Sequence, residues 1–508
     1  MNVNNGVGDG NTPERIPEVT LPEGWAWATV GEILVGSDAG KSFKCDPRPA
    51  APDEWGIIKV SAMTWGEFRP DENKALLDDA LVNPDYEIQA GDLLLSRANT
   101  AEHVGAPVLV GDVRPRLLLS DKSIRLKAGS AIDRDWFIYW LKSPAVRKAI
   151  TAKATGTSDS MRNISQPDLR AIVLPLPPAA EQRRISNALD SRLARLGKIV
   201  RLIARARSHA ATLRRQILLD LIPEPHDWPA EWQAMTVAEA GKVDLGRARH
   251  PDWHTGPRMR PYLRVANVFE DRIDTTSVME MDFSDGLGKY RLLPGDILLN
   301  EGQSPHLVGR PAMYKGIPEG VAFTNSLLRF RAADGVLPGW ALFVFRRHLH
   351  AGRFMREVRI TTSLAHLSGS RLKTVEFPVP TIDEQRRLIA EAKRQLARVD
   401  VIDRLLDRAE DRASAIRRAL FTEAFVGRLV SQDPDDEPAE DLLKRIRIER
   451  EAAEVERKTI RRAAAQAKRK SRTATQRRPS VIASPSAPTS HAPVPEGEQS
   501  ALPLEFTQ

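Results

Sequence analysis

The run Val35-Gly-Ser-Asp-Ala-Gly-Lys-Ser42, preceded by the apolar pair Ile33-Leu34, is the chain's nearest approach to nucleotide chemistry. A loop that cradles phosphates sets four residues between its glycines, so that successive backbone amides wrap the anion. Only three separate Gly36 from Gly40, and no second acidic strand follows to hold magnesium. Asn83-Pro84-Asp85-Tyr86 begins like a loop that grips an exocyclic amino group, but it lacks the second proline and any glycine-rich companion. It reads as a turn capping a strand. Asp71, Glu72 and Lys74 are the residue types of a metal-dependent nuclease, yet neighbours in sequence cannot converge on one ion. His250 and His254 stand four apart, but Pro251 and Gly256 argue against a helix aiming both at a metal. Cys45, the single cysteine, reads as a packed thiol.

With so little catalytic machinery, the elements themselves must carry the reading. At 508 residues the chain is long for one domain, and 42% hydrophobic with 28% charged residues is ordinary for a soluble protein. One cysteine suits a reducing cytosol. No apolar run reaches membrane-spanning length, and the N-terminus lacks a signal pattern, so a cytoplasmic protein without a membrane is expected. The net charge of +8 is unevenly placed. Residues 457–495 carry +10 and residues 496–508 carry −3, leaving +1 for the body. Charge alone does not make that body a nucleic-acid binder.

The chain repeats itself. Trp25 opens WAWATVGE and Trp232 opens WQAMTVAE; Tyr86 opens YEIQAGDLLLS and Tyr290 opens YRLLPGDILLN. LPLPPAAEQRRI ending at Ile185 matches FPVPTIDEQRRL ending at Leu388. Order and spacing are kept, so the chain is two copies of one unit. Each copy starts with short apolar runs between Gly, Pro and Asp, which predict strands of a mixed α/β domain. A helical stretch follows near 136–150, matched by 340–358.

After Pro175-Leu-Pro-Pro178 the pattern becomes helical. Leu189, Leu193, Leu196, Val200 and Ile203 in one copy, and Leu396, Val399, Ile402, Leu406, Ala409, Ala413, Ile416 and Leu420 in the other, fall at coiled-coil spacing. The expected fold is α+β: two pseudo-twofold-related mixed α/β domains separated by two long antiparallel coiled-coil helices. Its parts are a disordered N-terminus (1–20), domain one (21–180), spacer helix one (181–223), domain two (226–380), spacer helix two (381–431), and a charged helical then disordered tail (432–508). The tail helix carries Leu442, Leu443, Ile446 and Ile448 as its apolar residues. Its basic stretch has two readings, a dock for DNA or a partner, and a solvated tail. Paired rods of some 60 Å would hold two heads at a set gap, as half-sites about one DNA turn apart require.

These motifs carry a resemblance. W-x-x-x-x-x-G-E, G-D-L-L-L-S-R, V-G-x-P, G-T-S-x-S-M-R-N-I-S and P-L-P-P-x-x-E-Q-R-R-I, leading into a long helix and repeated once, resemble the specificity subunit of type I restriction-modification enzymes. The likeness runs over roughly residues 21–450 and is degraded at 361–368. It implies two target recognition domains, each reading half of a split double-stranded DNA site. It also implies spacer helices that bind two methyltransferase subunits, with restriction and translocase subunits in the wider assembly. S-adenosylmethionine, ATP and magnesium would sit on those partners, with no cofactor, metal or catalytic residue on this chain. The alternative is a self-contained DNA-modifying or ATP-using enzyme built on residues 36–42. A coiled-coil adaptor without DNA contact gives no reason for paired domains to differ in loop chemistry.

Base edges are read by side chains with paired donors and acceptors, Arg to guanine and Asn or Gln to adenine. Such residues follow the G-D-[LI]-L-L strand: Ser96, Arg97, Asn99 and Thr100 in copy one, Asn300, Gln303, Ser304 and His306 in copy two. A second set is Lys59, Ser61, Thr64 and Trp65, matched by Arg264 and Asn267. A third is Thr157, Ser158, Ser160, Arg162 and Asn163, matched by Thr361, Thr362, Ser363 and His366. Lys41, Lys44, Arg247 and Arg249 join them as cations for phosphates. Each set has a plainer reading as an ordinary polar loop. Glu181, Gln182, Arg183 and Arg184, with Glu384, Gln385, Arg386 and Arg387, start the long helices. Helix initiation explains the Glu, and the family likeness adds a methyltransferase interface.

Overall fold

The structure, a computed structural model, describes residues 20–158, 161–284, 286–361 and 364–475. The side chains of 157–158, 359–361, 461 and 464–475 also lie outside the description. The two stretches expected to be disordered fall almost wholly outside it. The chain divides into one unit of Met1–Arg183 with Gln432–Gln508, and a second of Arg184–Ser431.

In the first unit, Thr29 and Glu32 close a capping box at the short helix Val30–Ile33. The strand before it, Ala26–Thr29, pairs antiparallel with Val173–Leu176, so the two ends of the domain meet. The main sheet runs Leu34–Ala39, Ser123–Ala128, Leu93–Ser96, Pro107–Leu109, all antiparallel. A second sheet sets Gly56–Ile58 parallel to Leu117–Leu118 and antiparallel to Asn73–Leu76. Leu94, Val108, Leu117 and Leu119 are wholly buried beneath it.

The second unit repeats each step. Thr236 and Glu239 close the matching box, and Gln233–Thr236 pairs with Glu376–Val379. Its main sheet keeps the order Gly241–Leu245, Leu327–Ala332, Ile297–Asn300, Pro311–Met313. The V-G-x-P motif is explained in both. Gly105 and Gly309 hold φ of +72° and +75°, and a Cβ would lie 2.3 Å from Ile150 and 2.4 Å from Phe354. The helical stretch differs between copies. Pro144 splits it into Arg134–Lys142 and Pro144–Lys153, whereas Pro338–His350 runs unbroken.

The mixed α/β expectation with two long helices is met. The first spans Ala179–Leu221 (43 residues) and the second Ile382–Phe425 (44 residues), each about 65 Å at 1.5 Å per residue. Within the second unit they run antiparallel. Arg207 pairs with Asp407 (2.9 Å) and Glu410 (2.8 Å), and Arg214 with Asp400 (2.7 Å) and Asp403 (2.9 Å), so residue numbers rise on one helix as they fall on the other. The buried seam is narrower than expected. Leu189, Leu196, Ile203, Ala210 and Ile217 recur every seven residues, while Val200, Ile402 and Ile416 are exposed. Two helices cover only one stripe of each other, and flanking positions stay open.

A charged core supports the second unit. Arg347 is fully buried and donates to the carbonyls of Ile222 (3.0 Å) and Pro223 (3.2 Å). Beside it His348 is buried, with Nε2 2.9 Å from the Glu376 carbonyl. Burial, seconded by the Arg347 cation, pulls its pKa down to about 4. A histidine that stays neutral when folded yet titrates at about 6.5 unfolded stabilises fully above 6.5 and loses that contribution as pH falls toward 4. Melting of the second unit should therefore weaken over that window, by up to about 3 kcal/mol. His348→Phe should flatten the slope, and an unchanged slope in the variant would refute this. Among the described residues no helix is long and apolar enough to cross a membrane.

Candidate nucleic-acid interface

The phosphate-loop resemblance ends in a strand. Leu34–Ala39 pairs along Ser123–Ala128, so those amides face a neighbouring strand rather than an anion. Its glycines serve close packing. A Cβ on Gly36 would lie 2.0 Å from the Arg457 guanidinium, and one on Gly40 2.1 Å from the Leu119 carbonyl. Asn83 caps the short turn Pro84–Tyr86. His250 accepts from the Asp252 amide at a similar turn. The Cys45 thiol is half-buried, and burial raises its pKa. Among the described residues no group of three or more His, Cys, Asp or Glu could hold a metal.

Two of the three proposed reading sets do converge, and the cause is local pairing. After the strand Leu93–Ser96 the chain turns and pairs again: Ala98–Asn99 lies beside Met161–Asn163, which lies beside Thr155–Ser158. Arg162 thereby faces Asn99, and Asn163 faces Ala98. The Asn99 amide reaches the Thr64 hydroxyl (3.4 Å) and the Ser96 hydroxyl (3.3 Å), which draws the remaining set alongside. Trp65 is 61% exposed, with the Arg69 guanidinium 5.3 Å from its ring. Ser61 is held by Glu72 (2.6 Å). Lys59 is half-buried; Thr100, Lys41 and Lys44 are exposed, Lys41 lying 5.9 Å from the Tyr86 ring.

The second unit builds the same small sheet from Gly302–Gln303, Leu364–His366 and Arg359–Thr361. Gln303 faces Ala365, and Gly302 faces His366. Matched positions are therefore Asn99 with Gln303, Arg162 with Ala365, Asn163 with His366, and Arg97 with Glu301. The last is a site residue that residue-type reasoning passed over. Its carboxylate lies 3.3 Å from His366 Nδ1, and the signal was an acid standing where the first copy has an arginine. Ser304, Arg264 and Arg97 are half-buried, and His306 and Arg249 exposed. Ser160, Thr362 and Ser363 lie outside the described residues, as do the side chains of Thr157, Ser158 and Thr361.

Burial corrects several candidates. Ser96 and Asn300 are wholly buried at their strand ends; Ser96 accepts from the Asn99 amide of the loop, while the Asn300 side-chain amide has no hydrogen-bond partner among the described residues. Asn267 is buried too, donating to the carbonyls of Asp274 and Ser277 (3.0 Å each). Arg247 donates to the Asp282 carbonyl (2.7 Å) and lies 4.1 Å from the Trp253 ring, an internal brace rather than a phosphate contact.

The helix-start set is corrected likewise. Glu181 is buried and accepts from Trp25 Nε1 (2.9 Å). Gln182 accepts from the Asp133 amide (2.9 Å) and donates to the Pro177 carbonyl (2.9 Å). Gln385 accepts from the Leu337 amide (2.8 Å) and donates to the Gly335 and Pro380 carbonyls. Both glutamines are fully buried latches that satisfy the amide of the cap residue just before a neighbouring helix. No partner can reach them. Arg183, Arg386 and Arg387 are exposed, Arg184 and Glu384 half-buried, and Arg387 pairs with Glu384 (2.7 Å). That ion pair holds the Glu384 carboxyl below its usual range.

No protein-family model matches the chain. A stretch of 172 residues is 36% identical to the type I restriction enzyme EcoEI specificity subunit of Escherichia coli, covering 34% of this chain and 29% of that protein. Over 460 residues the chain is 22% identical to the type I restriction enzyme EcoKI specificity subunit of Escherichia coli K12, covering 85% of this chain and 97% of that one. A solved chain from a type I R-M system superposes with a TM-score of 0.62 at 18% identity, covering 80% of this chain and 99% of its own length. At that identity the likeness is one of fold.

Proposed function

We propose, on the premise that this chain is a relative of type I restriction specificity subunits, that it selects the DNA site for a multi-subunit restriction and methylation enzyme in the cytoplasm. One observation carries the reading. The same small sheet occurs in both units, with different chemistry at matched positions that reach the surface: Asn99 and Asn163 against Gln303 and His366. One scaffold reading two unlike half-sites should differ there and agree elsewhere. The paired long helices are suited to fixing the gap between the half-sites. Their exposed apolar side chains, Ile199, Leu202, Leu213, Val401 and Leu405 among them, suit the docking of two methyltransferase subunits. S-adenosylmethionine, ATP and magnesium then belong to the methyltransferase and translocase partners.

The test is reconstitution. The chain with its methyltransferase partner should methylate adenines in one split sequence, and neither component alone should do so. Exchanging residues 226–380 for the matching domain of a relative should change one half of that sequence and preserve the other. Methylation without sequence preference, or a change in both halves, would overturn the proposal.

A further inference from the structure

The tail helix Ala439–Thr475 belongs to the first unit, not to a free appendage. Ala439, Leu442 and Ile446 are buried, and Ile446 fills the space beside Gly129, where a Cβ would lie 2.7 Å away. Ile448, apolar like them, is exposed. Past this anchor the helix follows the short helix Val30–Ile33 and the strand Leu34–Ala39. There it sets two arginines beside a third. Arg450 donates to the Gly31 carbonyl (3.1 Å), and the Arg457 guanidinium occupies the space a side chain at Gly36 would fill. Arg170 donates to the Ser37 hydroxyl (3.0 Å), and Arg170 itself adjoins Gly31.

Three like charges thus meet on one patch. Among the described residues none of the three has a carboxylate within salt-bridge distance: Glu454, which also feels the Arg450 charge, is held by Lys458 (2.8 Å), Asp38 by Lys127 (2.7 Å) and Glu449 by Ser130 (2.9 Å). Burial, and then the charges of Arg450 and Arg457, lower the Arg170 pKa, and no carboxylate offsets them. Such an arrangement gains stability only when an anion arrives, and planar guanidinium groups match phosphate oxygens best.

From this geometry we infer that Arg170, Arg450 and Arg457 form a phosphate clamp for the DNA backbone, two thirds of it supplied by the tail helix. This rests on the specificity reading, because it is position that favours DNA over an acidic protein. Arg170 ends the helix Gln166–Arg170, which begins three residues after Asn163 on the small sheet. Ser37 ties both ends of that helix, donating to Gln166 (2.7 Å) and accepting from Arg170. At helical rise plus a short loop, Arg170 lies within about 17 Å of Asn163 on the reading strand, in reach of the same duplex.

The experiment uses the full chain with its methyltransferase partner, and duplex DNA with and without the methylated site, titrated from 50 to 200 mM salt. Arg457→Gln should weaken both duplexes by the same factor, roughly five- to tenfold at 0.1 M salt, and reduce the salt slope by about 1. The double variant Arg450→Gln/Arg457→Gln should reduce it by about 2, the methylated sequence staying the same. Arg457→Lys should retain most of the affinity, and since Arg457 is exposed, melting serves as the folding control. Unchanged affinity and slope in a folded Arg457→Gln variant would overturn the clamp. So would weaker assembly with the methyltransferase at unchanged DNA affinity, which would assign the patch to an acidic protein surface. If the unaltered complex methylates without preference, the specificity reading falls, while the slope on random DNA still judges the clamp.

Discussion

Asn163→Ala should make the recognised sequence degenerate at one base in one half and leave the other half intact. Asn163 is exposed at the end of its strand, and among the described residues it makes no side-chain hydrogen bond. A bidentate contact of Asn to adenine discriminates by roughly 1–3 kcal/mol, about five- to 150-fold. Mapping methylated adenines in cells that carry the variant with its methyltransferase partner would show the lost base directly. The second unit supplies the reciprocal case. Glu301, where the first unit has Arg97, is an acceptor suited to the amino group of cytosine, whereas arginine suits guanine. Glu301→Gln should alter the other half alone. A variant at either position that changes both halves, or neither, removes the matched sheets from the reading surface.

Gln385→Leu should cost the fold more than any surface change in the helix-start motif. The substitution strands the buried Pro380 carbonyl and removes the partner of the part-buried Leu337 amide and of the carbonyl of exposed Gly335. At about 1–3 kcal/mol for a buried unsatisfied group, and less for the two that water can reach, the total is about 2–4 kcal/mol. For a unit of this size that lowers the melting temperature by roughly 10 °C. Gln385→Glu should also destabilise, since an ionised carboxylate accepts but cannot donate to the two carbonyls. Arg386→Ala, at an exposed ion pair with Asp383 (3.1 Å), should stay within about 0.5 kcal/mol. A Gln385→Leu variant that melts like the unaltered chain would show that the latch adds nothing.

The sequence announced its duplication through whole motifs, and the long helices through the coiled-coil spacing that runs from Leu189 to Ile203. Both signals are local and periodic. What stayed hidden depends on neighbours distant in the chain. Val200 has the spacing of a seam residue, but only the second helix decides which flank is covered. Gly36 looks like part of a phosphate loop until Arg457, more than four hundred residues later, takes the space its missing Cβ leaves. Ser96, Asn300, Asn267 and Arg247 have the right chemistry for DNA and the wrong depth. Depth is a property of packing that residue type does not carry. The glutamines of the E-Q-R-R motif were the reverse case. They looked like surface, and only the neighbouring cap amide and carbonyls show them to be latches.

Ile446 completes the first unit, yet it lies beyond the entire second unit in the order of synthesis. At roughly 5–20 residues per second, the ribosome reaches it about a quarter of a minute to most of a minute after Arg183. During that interval the groove beside Gly129 stands open to solvent, while the second unit, unbroken from Arg184 to Ser431, is free to fold. The first-made half of this protein is the last to be finished.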